Sequence, residues 1–133
     1  MWSTKTAASG APITGLPAIS VGGQCGLLDV AIDPRFADNG IVLFQLRRTG
    51  QLQPDSGNST AVARGKLAGN ALTDVRTIFV QRPKVSSSAH CGGRLVFARD
   101  GRLFVTLSAS AFSRKEDAQT LDNHLGKIVR IEP

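Results

Sequence analysis

The chain has 133 residues, 41% of them hydrophobic, with 14 Gly, six Pro and a formal net charge of +6. That length suits one domain with a core of its own, and no apolar run approaches the ~18 residues of a membrane-spanning helix. The positive charge raises nucleic-acid binding, but the basic residues are scattered, Arg47-Arg48 and Arg114-Lys115 being the densest pairs, and no aromatics interleave with them, so neither a nucleic-acid nor a membrane partner is expected.

Residues 1–14 read as a flexible N-terminal segment, and Met1 to Gly10 lacks the apolar stretch of a signal peptide. From 15 to 133 the chain reads as a single β domain. Short apolar and β-branched runs recur between turn signals, and no helical period is sustained. The strand candidates are 17–21, 27–32, 41–47, 60–67, 75–80, 94–98, 103–107 and 127–132. Asp100-Gly101 predicts a hairpin, Asp38-Asn39-Gly40 and Gly69-Asn70 predict turns, and Pro54 to Ser59 is a polar loop. Ser113 to Asn123 is the one stretch where a helical turn is expected. Two stretches, 27–46 and 93–107, echo one another as strand, Asp-containing turn, strand. Repeated hairpins of this kind suit propeller blades, although on periodicity alone a sandwich serves equally well.

The stretch from Ser86 to Phe97 places His90 after a small-residue loop at the mouth of a short apolar strand. Histidine is the side chain best suited to move a proton near neutral pH, and a loop at a strand end presents it to a pocket. The competing reading is a histidine that bonds a backbone carbonyl. Gln24 is either a ligand-facing carboxamide or a turn residue among glycines. Arg94 reaches either an anionic ligand or an acid on the next strand. His124, opening the turn into the last strand, reads as structural, and Asp33-Pro34 reads as a strand-ending turn. Cys25 and Cys91 lack metal-site spacing, and the usual fate of such cysteines is a small buried thiol.

Several segments then occur in a telling order: Gly22-Gly-Gln24-Cys-Gly-Leu-Leu-Asp-Val-Ala-Ile-Asp-Pro34, His90-Cys-Gly-Gly-Arg94-Leu-Val-Phe97, Asp117-Ala-Gln-Thr-Leu121 and Asn123-His-Leu-Gly-Lys-Ile-Val-Arg-Ile131. From about Gly15 to Pro133 this set resembles the glucose/sorbosone dehydrogenase family, soluble quinoprotein aldose dehydrogenases built as six-bladed β-propellers around pyrroloquinoline quinone (PQQ). The resemblance implies an all-β fold of about two four-stranded blades, near 27–80 and 94–132, the second with three visible strands. It implies an oxidoreductase of aldose sugars in which His90 is the general base at the anomeric hydroxyl. Gln24 then lies near PQQ, and Arg94 is a further candidate for the anionic cofactor. If Gln24 and His90 both face the propeller axis, Cys25 and Cys91 approach each other, and a disulfide or a shared soft-metal site joins the buried-thiol reading.

The sequence departs from the family pattern at Ser108-Ala109, where Gly-Asp is usual, and at Cys25 and Cys91. The resemblance covers the early blades only. The family's calcium loop and the basic residues that grip the PQQ carboxylates come from later ones, so no metal ligand is nominated here. A second reading is therefore a non-catalytic, truncated relative serving in binding or self-assembly. The family is largely periplasmic, while the missing signal peptide leaves the cytoplasm open. Two blades expose strand edges, and a 17–21 strand completing the 94–132 blade of a neighbouring copy predicts a homo-oligomer, a cyclic trimer first and a dimer next.

Overall fold

Period-two burial builds two antiparallel sheets in the computed structural model, which describes residues 10–49, 57–108 and 114–133. The first sheet has the order β1-β2-β3-β4, from β1 (Leu27–Ile32), β2 (Ile41–Thr49), β3 (Asn58–Ala68) and β4 (Ala71–Val80). The second has the order β5-β6-β7, from β5 (Leu95–Phe97), β6 (Leu103–Thr106) and β7 (Ile128–Ile131). Consecutive strands are neighbours throughout, as in the blades the sequence predicts. The fold is all-β, and its helical content among the described residues is one turn, α1 (Phe36–Asn39), and a 3-10 turn over Lys115–Gln119.

Strand β2 shows why the sheets stack. Val42, Phe44 and Leu46 point into one apolar cluster, with Ala61, Ala63 and Leu72. Leu43, on the opposite face, joins Val62 and meets Leu95, Leu103, Val105 and Leu107 of the second sheet. A strand covered on both faces needs a near-continuous apolar run, which β2 has. The second sheet is covered on one face only: Val96, Phe104 and Ile128, at the alternate positions, are 56%, 37% and 70% exposed.

Several boundaries differ from the sequence reading. No strand forms over 17–21. Ile19 packs on the first sheet's outer cluster, and Ser20 N donates to Arg47 O at 2.9 Å. The Ser20 bond falls on β2 just past the end of β1, where Arg47 N also donates to Gly26 O at 2.9 Å. Further upstream, Thr14 N donates to Asn70 O and Thr14 O accepts from Leu72 N, both at 2.9 Å, which ties residue 14 to the start of β4. Strand β4 starts at Ala71 rather than 75, because the Gly69-Asn70 turn returns the chain directly onto β3, pairing Ala71 with Ala68. Asn58 and Ser59, expected in a polar loop, pair with Thr49 and Arg48 in the β2–β3 hairpin; Pro54 to Ser56 of that loop lie outside the described residues.

The Asp100-Gly101 hairpin forms as expected, with Ala98 N donating to Arg102 O at 2.7 Å. The Arg102 backbone N–H, bonded to the Asp100 carboxylate at 3.1 Å, holds that carboxyl below its ordinary range. Among the described residues of the expected 113–123 helical turn, Lys115–Gln119 is helical. Lys127 Nζ satisfies the carbonyls of Asp117, Ala118 and Leu125 at 2.8–3.0 Å and so folds this loop onto β7. Leu103→Ala, in the seam between the sheets, is expected to destabilise the protein by about 2–5 kcal/mol, and Val96→Ala on the open face by under about 1 kcal/mol. Chemical denaturation of the two variants checks the difference.

Candidate functional site

Two loops meet at one end of the seam. The first is a tight turn preceding β1. Gly22 N donates to Cys25 O at 3.2 Å and Cys25 N returns a bond to Gly22 O at 3.1 Å, leaving Gly23 and Gln24 at the tip. The second runs from Val85 to Arg94 and leads into β5. Inside it, Ala89 N donates to Ser87 Oγ at 3.1 Å, a serine turn that bends the chain just before His90.

The loops are joined by reciprocal bonds. Gln24 N donates to Ser88 O at 2.9 Å, and His90 N donates to Gln24 Oε1 at 2.7 Å. The close approach requires Gly23, whose φ is +58°: a Cβ there would collide with Ser88 O. His90 itself sits at φ +57°, in the left-handed region that few non-glycine residues occupy. Such conformations cost of order 1–3 kcal/mol and persist where the surroundings over-determine them, as the Gln24 carboxamide and the turn do here.

Below the loops, a set of buried polar side chains ties the two sheets together. Arg47, on the seam face of β2 and 5% exposed, donates from Nη2 to Ser87 O at 2.6 Å and from Nη1 to Gly22 O at 3.4 Å, so one guanidinium holds both loops. Gln45 Nε2 donates to Thr106 O at 2.9 Å, and Gln81 Nε2 donates to Ser108 O at 3.1 Å. A Cβ on Gly93 would run into the Gln45 carboxamide, which is why glycine stands there. Asp29 on β1 accepts from Leu95 N at 2.8 Å and so fixes the start of β5.

Cys25 and Cys91 form a disulfide between the loops, with Cα atoms 5.1 Å apart, inside the usual bridging range. This corrects the reading of two buried thiols and replaces the soft-metal alternative. Among the described residues no group of three His, Cys, Asp or Glu side chains is placed to hold a metal ion.

Of the sequence-predicted residues, Gln24 and His90 are brought together, both exposed at the loop tips. The Arg94 side chain is 73% exposed, and its guanidinium lies 4.0 Å from Asp29 Oδ1, an acid on β1 of the other sheet rather than on the next strand; so exposed a pair contributes little. His124 is structural: its Nδ1 accepts from Arg82 N at 3.0 Å and its ring packs on Phe79 at 5.2 Å. Ala109 lies outside the described residues. The sequence reading passed over Arg47, Gln45, Gln81 and Asp29. For the two on β2 a signal existed, since polar residues at 45 and 47 continue the inward face begun by Leu43.

Comparison with known proteins agrees with the fold. The family described as Glucose / Sorbosone dehydrogenase matches residues 1–133. Aldose sugar dehydrogenase YliI of Escherichia coli strain K12 is 40% identical over 123 residues, covering 91% of this chain and 32% of its own length. The crystal structure of the apo-form soluble aldose sugar dehydrogenase from Escherichia coli superposes with a TM-score of 0.84 at 38% identity, covering 98% of this chain and 37% of that one. The PQQ-bound aldose sugar dehydrogenase from Streptomyces coelicolor gives a TM-score of 0.66 at 27% identity, over 88% of this chain and 33% of that one. The chain belongs to the glucose/sorbosone dehydrogenase family, and its two sheets are blades of the propeller-type fold. It spans 27–32% of the length of the curated relatives it matches.

Thiol titration of the unreduced, denatured protein should find no free cysteine, and two after reduction. For a sequence separation of 66 residues, loop-closure entropy puts the loss in a Cys25→Ala/Cys91→Ala protein at about 4 kcal/mol. Denaturation midpoints measured with and without the substitutions check it.

Proposed function

We propose that this chain is the part of a PQQ-dependent aldose dehydrogenase that carries its proton-accepting histidine. The reaction is oxidation of an aldose at the anomeric carbon. The observation that carries the reading is the 2.7 Å bond from His90 N to Gln24 Oε1: it couples, across two blades, the residues that the family motifs single out. Relatives named as aldose sugar dehydrogenases support the substrate class.

The donor chemistry at these loops fits the cofactor. With Gln24 Oε1 engaged by His90 N, the carboxamide nitrogen is the end that donates to a quinone or carboxylate oxygen. Arg94, exposed beside Asp29, adds a cationic group for an anionic ligand. PQQ, when bound, supplies the two-electron acceptor. His90 accepts the proton of the sugar's anomeric hydroxyl, its backbone held in place by the Gln24 carboxamide. A general base has to keep hydrogen-bond reach to that one proton, and the doubly tied loop limits how far His90 can stray. The disulfide suits an oxidising compartment and so favours a periplasmic location.

A second reading, a binding or self-assembly module, is favoured by the open face of the second sheet, where Val96, Phe104 and Ile128 are exposed. In this reading the chain forms a homo-oligomer, a cyclic trimer before a dimer. Light scattering separates the cases: a monodisperse particle of 14.0 kDa at micromolar concentration overturns self-assembly. Reconstitution with PQQ and calcium, followed by a dye-linked assay with glucose, tests the first reading. In the cofactor-loaded protein, His90→Ala should lower turnover by roughly two to four orders of magnitude while PQQ binding falls less. Unchanged turnover in that variant would remove His90 from the role.

A further inference from the structure

Each half-cystine directly follows a candidate residue, in Gln24-Cys25 and His90-Cys91. The two ends of the bridge are anchored unequally. Cys25 sits in a closed turn, exchanging two backbone bonds with Gly22, and the Gly26 carbonyl beside it accepts from Arg47 N at 2.9 Å. Cys91, Gly92 and Gly93 take part in no hydrogen bond among the described residues. The chain is next fixed at Arg94, whose N–H donates to Thr106 Oγ1 at 2.7 Å. The disulfide therefore passes the rigidity of the first turn to the loop that carries His90.

His90 depends on that support, because its φ of +57° is unfavourable for a residue with a Cβ. The bonds from His90 N to Gln24 Oε1 and from Gln24 N to Ser88 O oppose its relaxation, but all three residues are exposed. Water competes for such bonds, so each adds little net restraint. The bridge is covalent, and water cannot replace it. The sheets themselves rest on other contacts: the apolar seam and the pins from Gln45, Gln81 and Asp29.

We propose that Cys25 and Cys91 form a thiol–disulfide switch for the candidate site: oxidised, the pair holds His90 against Gln24; reduced, it leaves both sheets folded and releases the His90 loop. Its effect on catalysis rests on the reading of His90 as proton acceptor; the loop movement does not. Opening takes a dithiol. One thiolate attacks the sulfur of Cys91, which is half-buried whereas Cys25 is buried, and forms a mixed disulfide as the Cys25–Cys91 bond breaks. Cys25 leaves as a thiolate and takes up a proton. The second thiol of the dithiol displaces Cys91 and closes the dithiol's own disulfide, so two electrons and two protons pass to the protein. A disulfide oxidant runs the same steps backwards, and oxidising surroundings thus assemble the site.

The chain has two histidines, so His124, bonded to Arg82 N in the β6–β7 connection, is an internal control. Proton NMR follows the imidazole C2–H line of each, assigned by the line lost in His90→Ala. Spectra are taken of the oxidised protein, with excess dithiothreitol, and after reoxidation. Reduction should move and broaden the His90 line, leave the His124 line in place, and reverse on reoxidation. Cys25→Ser/Cys91→Ser should keep the His90 line at its reduced position with or without dithiothreitol. An unmoved His90 line overturns the proposal. So does equal movement of both lines, since the bridge then holds the whole fold. In the PQQ-reconstituted protein the double variant should lower kcat about 100-fold, the scale of a misplaced catalytic group; an unchanged kcat overturns the switch. Absence of turnover in the oxidised parent removes the dehydrogenase reading and leaves the NMR result to decide the loop movement.

Discussion

The seam between the two sheets is the constraint on which the rest of this structure depends. Leu43 and Val62 from the first sheet close against Leu95, Leu103, Val105 and Leu107 from the second. Each such side chain contributes roughly 1.5–3 kcal/mol when fully buried. The second sheet is short, with strands of three, four and four residues. A sheet of that size has little stability alone. Its position is therefore set by the seam, and so is the position of the loop that carries His90.

Apolar contact does not by itself fix the rotation of one sheet on another, since hydrophobic attraction is not directional. The polar pins supply that. Asp29 to Leu95 N, Gln45 to Thr106 O and Gln81 to Ser108 O each cross the seam with a defined geometry. Buried polar groups of this kind are costly when half-satisfied, so they exclude neighbouring registers more strongly than they add stability. Arg47 and the Cys25–Cys91 disulfide repeat the arrangement at the loop end, where no sheet hydrogen bonds are available.

This arrangement accounts for a strained residue at the centre of the candidate site. His90 is held at φ +57° by bonds that converge from the opposite blade. A loop left to itself relaxes from such a conformation. The disulfide, the glycine at 23 and the Arg47 clamp together leave it no room to do so. Precise placement of a proton-accepting imidazole is what the proposed chemistry requires.

Much of this was legible before folding. Turn residues and apolar alternation located seven strands, because a strand's period and its bounding turns are local properties. The ordered motifs around Gln24 and His90 identified the family and nominated both candidate positions. The strand expected at 17–21 did not form because an apolar run marks a segment for packing without saying that its backbone will pair: Ile19 packs on the first sheet and Ser20 N bonds Arg47 O. The disulfide stayed one of several readings because a separation of 66 residues says nothing about distance. The roles of Arg47, Gln45 and Asp29 are set across the seam, between residues up to 66 apart in sequence. The sequence by itself determined the blades, their motifs and the two loops that carry the candidate residues. Only the tertiary structure decided which groups meet between them, because contacts across a seam depend on how two sheets stack, and stacking is a property of the packed chain rather than of any local stretch.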